Sequence, residues 1–425
     1  MTDVLIVLAD GRVMGEIRHS RAGRLTFVYD DDWRARSNAY PLSLSMPLVV
    51  AEHEHGRIDP WLWGLLPDNE AILARWAQRF QVSPRNAFAL LGAVGEDCAG
   101  AIQLVPPERV PTLMDADQGS VAWLSSSDIA ERLALLRKDQ SAWRVARDTG
   151  QFSLAGAQPK TALLFDGARW GVPSGRMATT HILKPPIDAF DGHAENEHLC
   201  LALARALGFP AARSRVMRFD DEVAIVVERY DRLRDPGGIR RLHQEDLCQA
   251  LGLAPTKKYQ NEGGPAVGEL LEVVRAHSGV PQEDEWTFAR ALMFNWLIGG
   301  TDAHAKNFSM LIGAGGRARL APLYDVASTL VYDFDPHKLK LANKIGGTYL
   351  IDDIGPRQWE KFAVETRLPK QDVLTAARDL AGALPAAIHT VADQARSEGL
   401  DHPVIPRMVE ILRTRAERCA RLFPD

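Results

Sequence analysis

The spacing of apolar and polar positions changes along the chain, and with it the predicted elements. Residues 3–8 are mostly apolar and Ala9-Asp10-Gly11-Arg12 holds an Asp-Gly pair, which predicts a strand turning tightly into a second one. Residues 24–29 read as another strand. After Leu65-Leu66-Pro67-Asp68-Asn69, the residues Ala71, Ile72, Leu73, Trp76, Ala77 and Phe80 fall at helical spacing. Pro84 stands where a further helix would begin, ahead of 86–91. Residues 101–105 return to a strand, and Pro106-Pro107 and Pro111 mark a boundary.

From 106 to 150 the chain reads as a connector with one helix at 127–136, where Asp128 and Glu131 suit the positive end of the helix dipole. Between 150 and 255, strands at 161–165 and 169–172 flank Asp166-Gly167, and a short strand at 181–184 stops at Pro185-Pro186. A helix at 195–207 ends at Gly208, and strands at 213–219 and 223–228 flank Asp220-Asp221. From 256 onward the pattern is mostly helical, apart from the stretch holding Asn307, Phe308, Leu311 and Asp325. Strands first and helices second predict an α+β fold in three regions, 1–105, 106–255 and 256–425.

Composition narrows the function classes. The chain has 425 residues, 46% hydrophobic and 25% charged, as ordinary soluble globular proteins do. A net charge of -5 provides no global basic field for nucleic acid. Cys98, Cys200, Cys248 and Cys419 lie far apart, which argues against a zinc ribbon or disulfide framework and fits a reducing cytosol. The first residues lack a basic segment of the signal-peptide kind, and no apolar run reaches the ~20 residues of a membrane span. A cytoplasmic protein with no membrane partner is expected.

The chemistry concentrates at Asn295-Trp296-Leu297-Ile298-Gly299-Gly300-Thr301-Asp302-Ala303-His304-Ala305-Lys306-Asn307. Asp302 stands five residues before Asn307, and a second acid follows in Pro322-Leu323-Tyr324-Asp325. Kinases use this arrangement: the first Asp takes the proton of the attacking hydroxyl, and the Asn and last Asp hold Mg²⁺ against the ATP phosphates. Two hard oxygen donors plus phosphate suit Mg²⁺. Asp302, His304, Lys306 and Asn307 crowd six residues between apolar runs, so they must pair with one another as a structural cluster or serve a ligand. His304 reads as a hydrogen-bonding group rather than a metal ligand, because no second His stands at ligand spacing.

Upstream signals each have two readings. Ser153-Leu154-Ala155-Gly156-Ala157-Gln158-Pro159-Lys160 is a plain turn or a small-residue loop that brings backbone N–H groups to phosphate. Lys184 is a surface lysine at a strand end or the partner of the ATP phosphates. Glu195 and Glu197 are ordinary helix-start acids or partners of that lysine. Residues 226–231 are an ordinary strand end or a hinge holding adenine. Their order along the chain is the order a kinase fold requires. A Walker loop is absent from the sequence.

These residues resemble the HipA family of serine/threonine kinases, the toxin component of HipBA toxin–antitoxin modules, over essentially the whole chain. The loop 153–160 is similar to the family's S-x-x-G-A-Q-x-K, with Pro159 where an acidic residue is common. The segments 181–184 and 195–197, the hinge 228–232 with 242–246 and its following helix, the catalytic loop 299–309 and Tyr324-Asp325 resemble the family's motifs in turn. Residues 65–69 and 95–101 resemble its N-terminal subdomain. The resemblance implies a two-lobed protein-kinase-like fold: an N-terminal β-rich subdomain (1–105), a linker helix with the N-lobe-like region (106–255) and a helical C-lobe (256–425). It implies Asp302 as base, Asn307 and Asp325 as Mg²⁺ ligands, and Lys184 with Leu154, Ala155 and Gly156 on the ATP phosphates. Glu228 and Tyr230 would flank adenine, with Gln244, His304, Lys306 and Tyr324 lining the nucleotide pocket. Inactivating autophosphorylation would fall on Ser153. The implied substrate is a protein of translation, typically an aminoacyl-tRNA synthetase. The implied partner is a HipB-like helix-turn-helix antitoxin, through which any contact with DNA would be indirect.

Two other functions compete. A silent kinase-like antitoxin partner and corepressor would have no reason to keep Asn307 and Asp325 together. A phosphohydrolase using Asp302 and His304 would need more ligands for two metals. The arginines 407, 413, 415, 418 and 421 read as a solvated helix face or as a DNA contact within a complex.

Overall fold

The computed structural model describes residues 3–115, 119–138, 153–187, 189–236 and 238–423, so the 139–150 part of the expected connector lies outside the described residues. The chain forms two compact units: one holds 1–185, 217–255 and 310–318, the other 186–216, 256–309 and 319–425.

The first unit opens with an antiparallel sheet in the order Glu52–Glu54, Leu25–Tyr29, Arg12–His19, Val4–Ala9, Gln103–Val105. Its first turn uses left-handed backbone at Asp10 (φ 51) and Gly11 (φ 68), which an Asp-Gly pair tolerates. The predicted helix near 71–80 spans Glu70–Phe80, and the Asn69 side chain caps it by accepting from Ala71 N at 2.9 Å. Pro84 does not open the next helix. That helix is Ala87–Val94, with Asn86 as its cap accepting from Ala89 N at 3.0 Å, and Pro84 lies in the turn before it.

A second sheet has the order Ser214–Phe219, Glu222–Glu228, His181–Lys184, Thr161–Phe165, Trp170–Gly175, Gly119–Leu124. The predicted helix near 127–136 spans Ser126–Lys138 and buries Ile129 and Leu133 against Leu163, Val172, Leu183 and Val226. Burial of these side chains stabilises each by about 1.5–3 kcal/mol relative to exposure. Residues 243–246 form a strand, not the start of a helix; the helix is Leu247–Leu251, set by a capping box between Asp246 and Gln249.

The second unit is mostly helical: His193–Ala206, Val267–His277, Pro281–Ile298, Pro356–Thr366, Lys370–Ser397 and Val404–Ala420. Pro281–Ile298 runs through its core with Phe288, Phe294 and Trp296 fully buried, and the Trp296 ring meets Trp359 edge-on at 5.5 Å. Pro281 at its first turn and Gly299 (φ 65) after its last set its limits. Among the described residues no helix is long and apolar enough to cross a membrane.

Candidate active site

The predicted site residues divide between the units: Ser153 to Gly156, Lys184, Glu228, Tyr230 and Gln244 belong to the first, and Asp302, His304, Lys306, Asn307, Tyr324 and Asp325 to the second.

In the second unit, the core helix ends abruptly. Gly299 and Gly300 admit no side chain, because a Cβ would come within 2.5 Å of Leu330 and 2.2 Å of the Asn295 amide respectively. The exit delivers Thr301 and Asp302 from a rigid element to the surface, where the Asp302 side chain is 66% exposed. The loop beyond it closes on itself: the Asp302 carbonyl accepts from His304 N (2.8 Å) and from the Asn307 amide (2.7 Å). Lys258 O takes Ala305 N at 3.2 Å, and the Asn343 amide donates to Ala303 O at 2.7 Å. Both neighbours of Asp302 on its C-terminal side are therefore held while its carboxylate projects. Tyr259 donates its hydroxyl to Asp302 Oδ1, and its ring meets His304 edge-on at 4.8 Å. His304, Lys306 and Asn307 are buried.

Tyr324 donates to Lys306 O at 2.7 Å and lies 2.6 Å from the Ser309 hydroxyl, so it braces the loop that follows Asp302. Leu323 is fixed by Leu323 N to Pro210 O (2.9 Å) and by Ala212 N to its own carbonyl (2.8 Å). Asp325 then takes left-handed backbone (φ 57), a conformation that costs a non-glycine residue about 1–3 kcal/mol and clusters at functional positions. The buried Asn196 belongs to the same construction: its amide donates to Ser328 O (2.8 Å) and accepts from Ser328 N (2.9 Å).

In the first unit, Ser153 is fully buried. Its hydroxyl donates to Leu65 O at 2.8 Å and its N–H to Asp97 O at 3.0 Å. Gly156 (φ 105) bridges to Pro67 and gives its carbonyl to Asp68 N at 3.3 Å. Lys160 Nζ reaches back to Ala155 O at 2.6 Å and closes the loop. Lys184 lies opposite Ile225 and Glu228 opposite His181, where the strands His181–Lys184 and Glu222–Glu228 pair. Tyr230 hydrogen-bonds Gln244 through its hydroxyl.

Two features escaped the sequence. Tyr259 lies in a stretch with no periodic pattern. A buried ion cluster joins Asp97, Arg229, Asp231, Arg232 and Arg241. Its one legible signal was the alternation of Arg229 and Asp231 with Glu228 and Tyr230 at the strand exit. The C-terminal arginines are engaged within the unit: Arg407 with Asp333, Arg413 with Glu410 and Glu417, Arg415 and Arg418 with Asp352, and Arg421 with Glu417 O.

Comparison with known proteins decides the family. Residues 5–105 match the HipA N-terminal domain and residues 152–388 the HipA-like C-terminal domain. The chain belongs to the HipA family. It is 38% identical over 375 residues to Y4mE, a kinase candidate of Sinorhizobium fredii, covering 85% of each chain. It is 30% identical over 378 residues to the serine/threonine-protein kinase toxin HipA of Shewanella oneidensis, covering 85% of this chain and 83% of that one. A solved structure of the Shewanella oneidensis HipA, in complex with HipB and operator DNA, superposes with a TM-score of 0.82 at 27% identity over 99% of this chain and 98% of that one. The HipA fold is thus present here as a kinase-like α+β fold with an N-terminal β-rich subdomain, as the sequence predicted.

Within this HipA-family site the donor set can be tested against Mg²⁺. Among the described residues no group of three His, Cys, Asp or Glu could hold a metal. Asn307 and Asp325 instead bring an amide and a carboxylate, and the Asn307 N–H fixes Asp302 O. A hard cation that keeps waters and takes the rest of its ligands from phosphates fits such a pair. Tyr259 has a smaller, separable role. Tyr259→Phe removes one hydrogen bond to a carboxylate; should the chain transfer phosphate, kcat is expected to fall about three- to tenfold, to be checked under saturating Mg²⁺-ATP with the melting temperature as control.

Proposed function

We propose that this HipA-family chain is a serine/threonine protein kinase toxin that transfers the γ-phosphate of ATP to a protein of translation, an aminoacyl-tRNA synthetase, and so arrests growth. The observation that carries this reading is Asp302: an exposed carboxylate just past the end of a buried helix, with its own carbonyl, not its carboxylate, accepting the His304 N–H and the Asn307 amide that close the loop. The acceptor hydroxyl gives its proton to Asp302 as its oxygen bonds to the γ-phosphorus, the bond to the β–γ bridging oxygen breaks, and ADP leaves. Mg²⁺ held by Asn307 and Asp325 would neutralise charge on the phosphates. Lys184 and the backbone N–H groups of Leu154, Ala155 and Gly156 orient them. Glu228 and Tyr230 would flank adenine, and Gln244, His304, Lys306 and Tyr324 are the other proposed nucleotide contacts.

Ser153 is the proposed autophosphorylation site, and its surroundings give the inactivation a physical basis. A phosphate of about −1.5 to −2 charges cannot stay where the hydroxyl is fully buried and faces a backbone carbonyl, so modification would expel the segment. A HipB-like helix-turn-helix antitoxin is the proposed partner and the one that reads DNA, in a cytoplasmic complex. The internal pairing of the C-terminal arginines supports that division. The test is intact-mass spectrometry after incubation with Mg²⁺-ATP, beside an Asp302→Asn control. One added phosphate on the parent chain alone, mapped to Ser153, is the expected result. No gain on a chain that starts unphosphorylated would remove the kinase reading.

A further inference from the structure

The ion cluster of the first unit lies outside the proposed chemistry, yet it touches two parts of the nucleotide-binding half. Asp97 comes from the N-terminal domain. Its carboxylate lies 2.8 Å from Arg232, 3.2 Å from Arg241 and 3.6 Å from Arg229, and it accepts from Thr179 N (3.0 Å) and the Thr179 hydroxyl (2.6 Å). Asp231 pairs with Arg229 (2.8 Å) and Arg232 (3.0 Å) and accepts from Gly100 N at 2.7 Å. The arginines return the grip: Arg229 donates to Cys98 O (2.8 Å), Arg232 to Cys98 O (3.1 Å) and Gly100 O (2.9 Å). Tyr230 stands between these anchors and Glu228 directly before them; both are proposed adenine contacts. On its other side, the Asp97 carbonyl holds Ser153 N.

Such a cluster is an expensive way to gain stability. Burying charges costs several kcal/mol per ion, and well-packed apolar residues often do as well or better. What it supplies is direction, since each arginine fork fixes two or more acceptors in one plane. Thr179 adds to this by donating to Asp97 while accepting from Arg229 Nη1 at 2.9 Å.

We propose that Asp97 is a positioning residue for nucleotide binding: its carboxylate fixes the 228–232 segment and its carbonyl fixes Ser153, so the two are set together by the N-terminal domain. This rests on the kinase reading for its kinetic arm only. The N-terminal domain is then part of the nucleotide site rather than a separate module, and displacing 97–100 loosens the hinge and releases the phosphate loop at once.

The test uses the full chain carrying Asp97→Asn, and separately Thr179→Val, which keeps all five charges and deletes one hydroxyl should the first variant fail to fold. Each is also combined with Ser153→Cys, read by the rate of thiol labelling under native conditions; the four natural cysteines are all buried. Losing one oriented charged hydrogen bond should raise KM for ATP by about tenfold with kcat changed less than about threefold. Labelling at position 153 should accelerate by about the same factor, since opening follows the lost contact. A lower melting temperature with KM and labelling unchanged in folded variants would overturn the proposal and leave the cluster purely structural. If the parent chain transfers no phosphate, the kinase reading fails by itself. ATP affinity by calorimetry then takes the place of KM, and unchanged affinity and labelling would still overturn the role of Asp97.

Discussion

Replacing Asp302 by asparagine should lower phosphoryl transfer by roughly 10²–10⁴ while leaving the fold and the affinity for Mg²⁺-ATP near those of the parent. The separation is expected because the residue has two jobs done by different atoms. Its carbonyl organises the loop, accepting from His304 N and the Asn307 amide, and an asparagine keeps that carbonyl. Its carboxylate is two-thirds exposed and receives a hydrogen bond from Tyr259, which an amide oxygen can also accept. What the amide cannot do is take a proton from the acceptor hydroxyl. Single-turnover transfer, with ATP binding followed separately, checks this. A loss smaller than about tenfold would mean that proton removal is not what Asp302 contributes, and a loss of ATP affinity would mean that its side chain orders the loop.

The sequence disclosed local features well. The apolar run 292–298 followed by four polar groups in six residues located the loop, and its cause is now visible: two glycines end the helix where a Cβ would crowd Leu330 and Asn295. The α+β order was legible because hydrophobic spacing changes from strand-like to helical along the chain. Positions 243–246 were harder. His243 and Glu245 are buried and alternate with Gln244, which is strand spacing, but four residues beside a helix are too few for the pattern to show. Long-range partners were out of reach. Tyr259 meets Asp302 across 43 residues, Asn196 meets Ser328 across 132, and Arg232 meets Asp97 across 135. Nothing in local periodicity encodes such pairs, because each residue alone also suits an exposed position.

Glu245→Gln should stabilise the protein by about 3 kcal/mol at pH 7 and flatten the dependence of its stability on pH. Glu245 is buried on the strand that carries Gln244, and its carboxyl accepts from Leu44 N at 2.7 Å. Burial pushes its pKa up to about 8 and the negative charge of Asp246 adds to the rise, while the Leu44 N–H and Ser43 temper it. A carboxyl raised in the folded state favours folding when both states are protonated. As pH rises above the ordinary carboxylate range, the unfolded chain sheds the proton and the folded one keeps it, so stability falls until pH reaches about 8. Each pH unit in that window costs about 1.4 kcal/mol. Glutamine reproduces the neutral form, retains an acceptor for Leu44 N and has no proton to lose, so parent and variant should match near pH 4 and diverge steadily above it. Urea unfolding at a series of pH values measures the difference directly. If the variant is equally stable or weaker at pH 8, Glu245 is ionised in the fold, and the loop 42–46 is then held by a charged carboxylate rather than a neutral one.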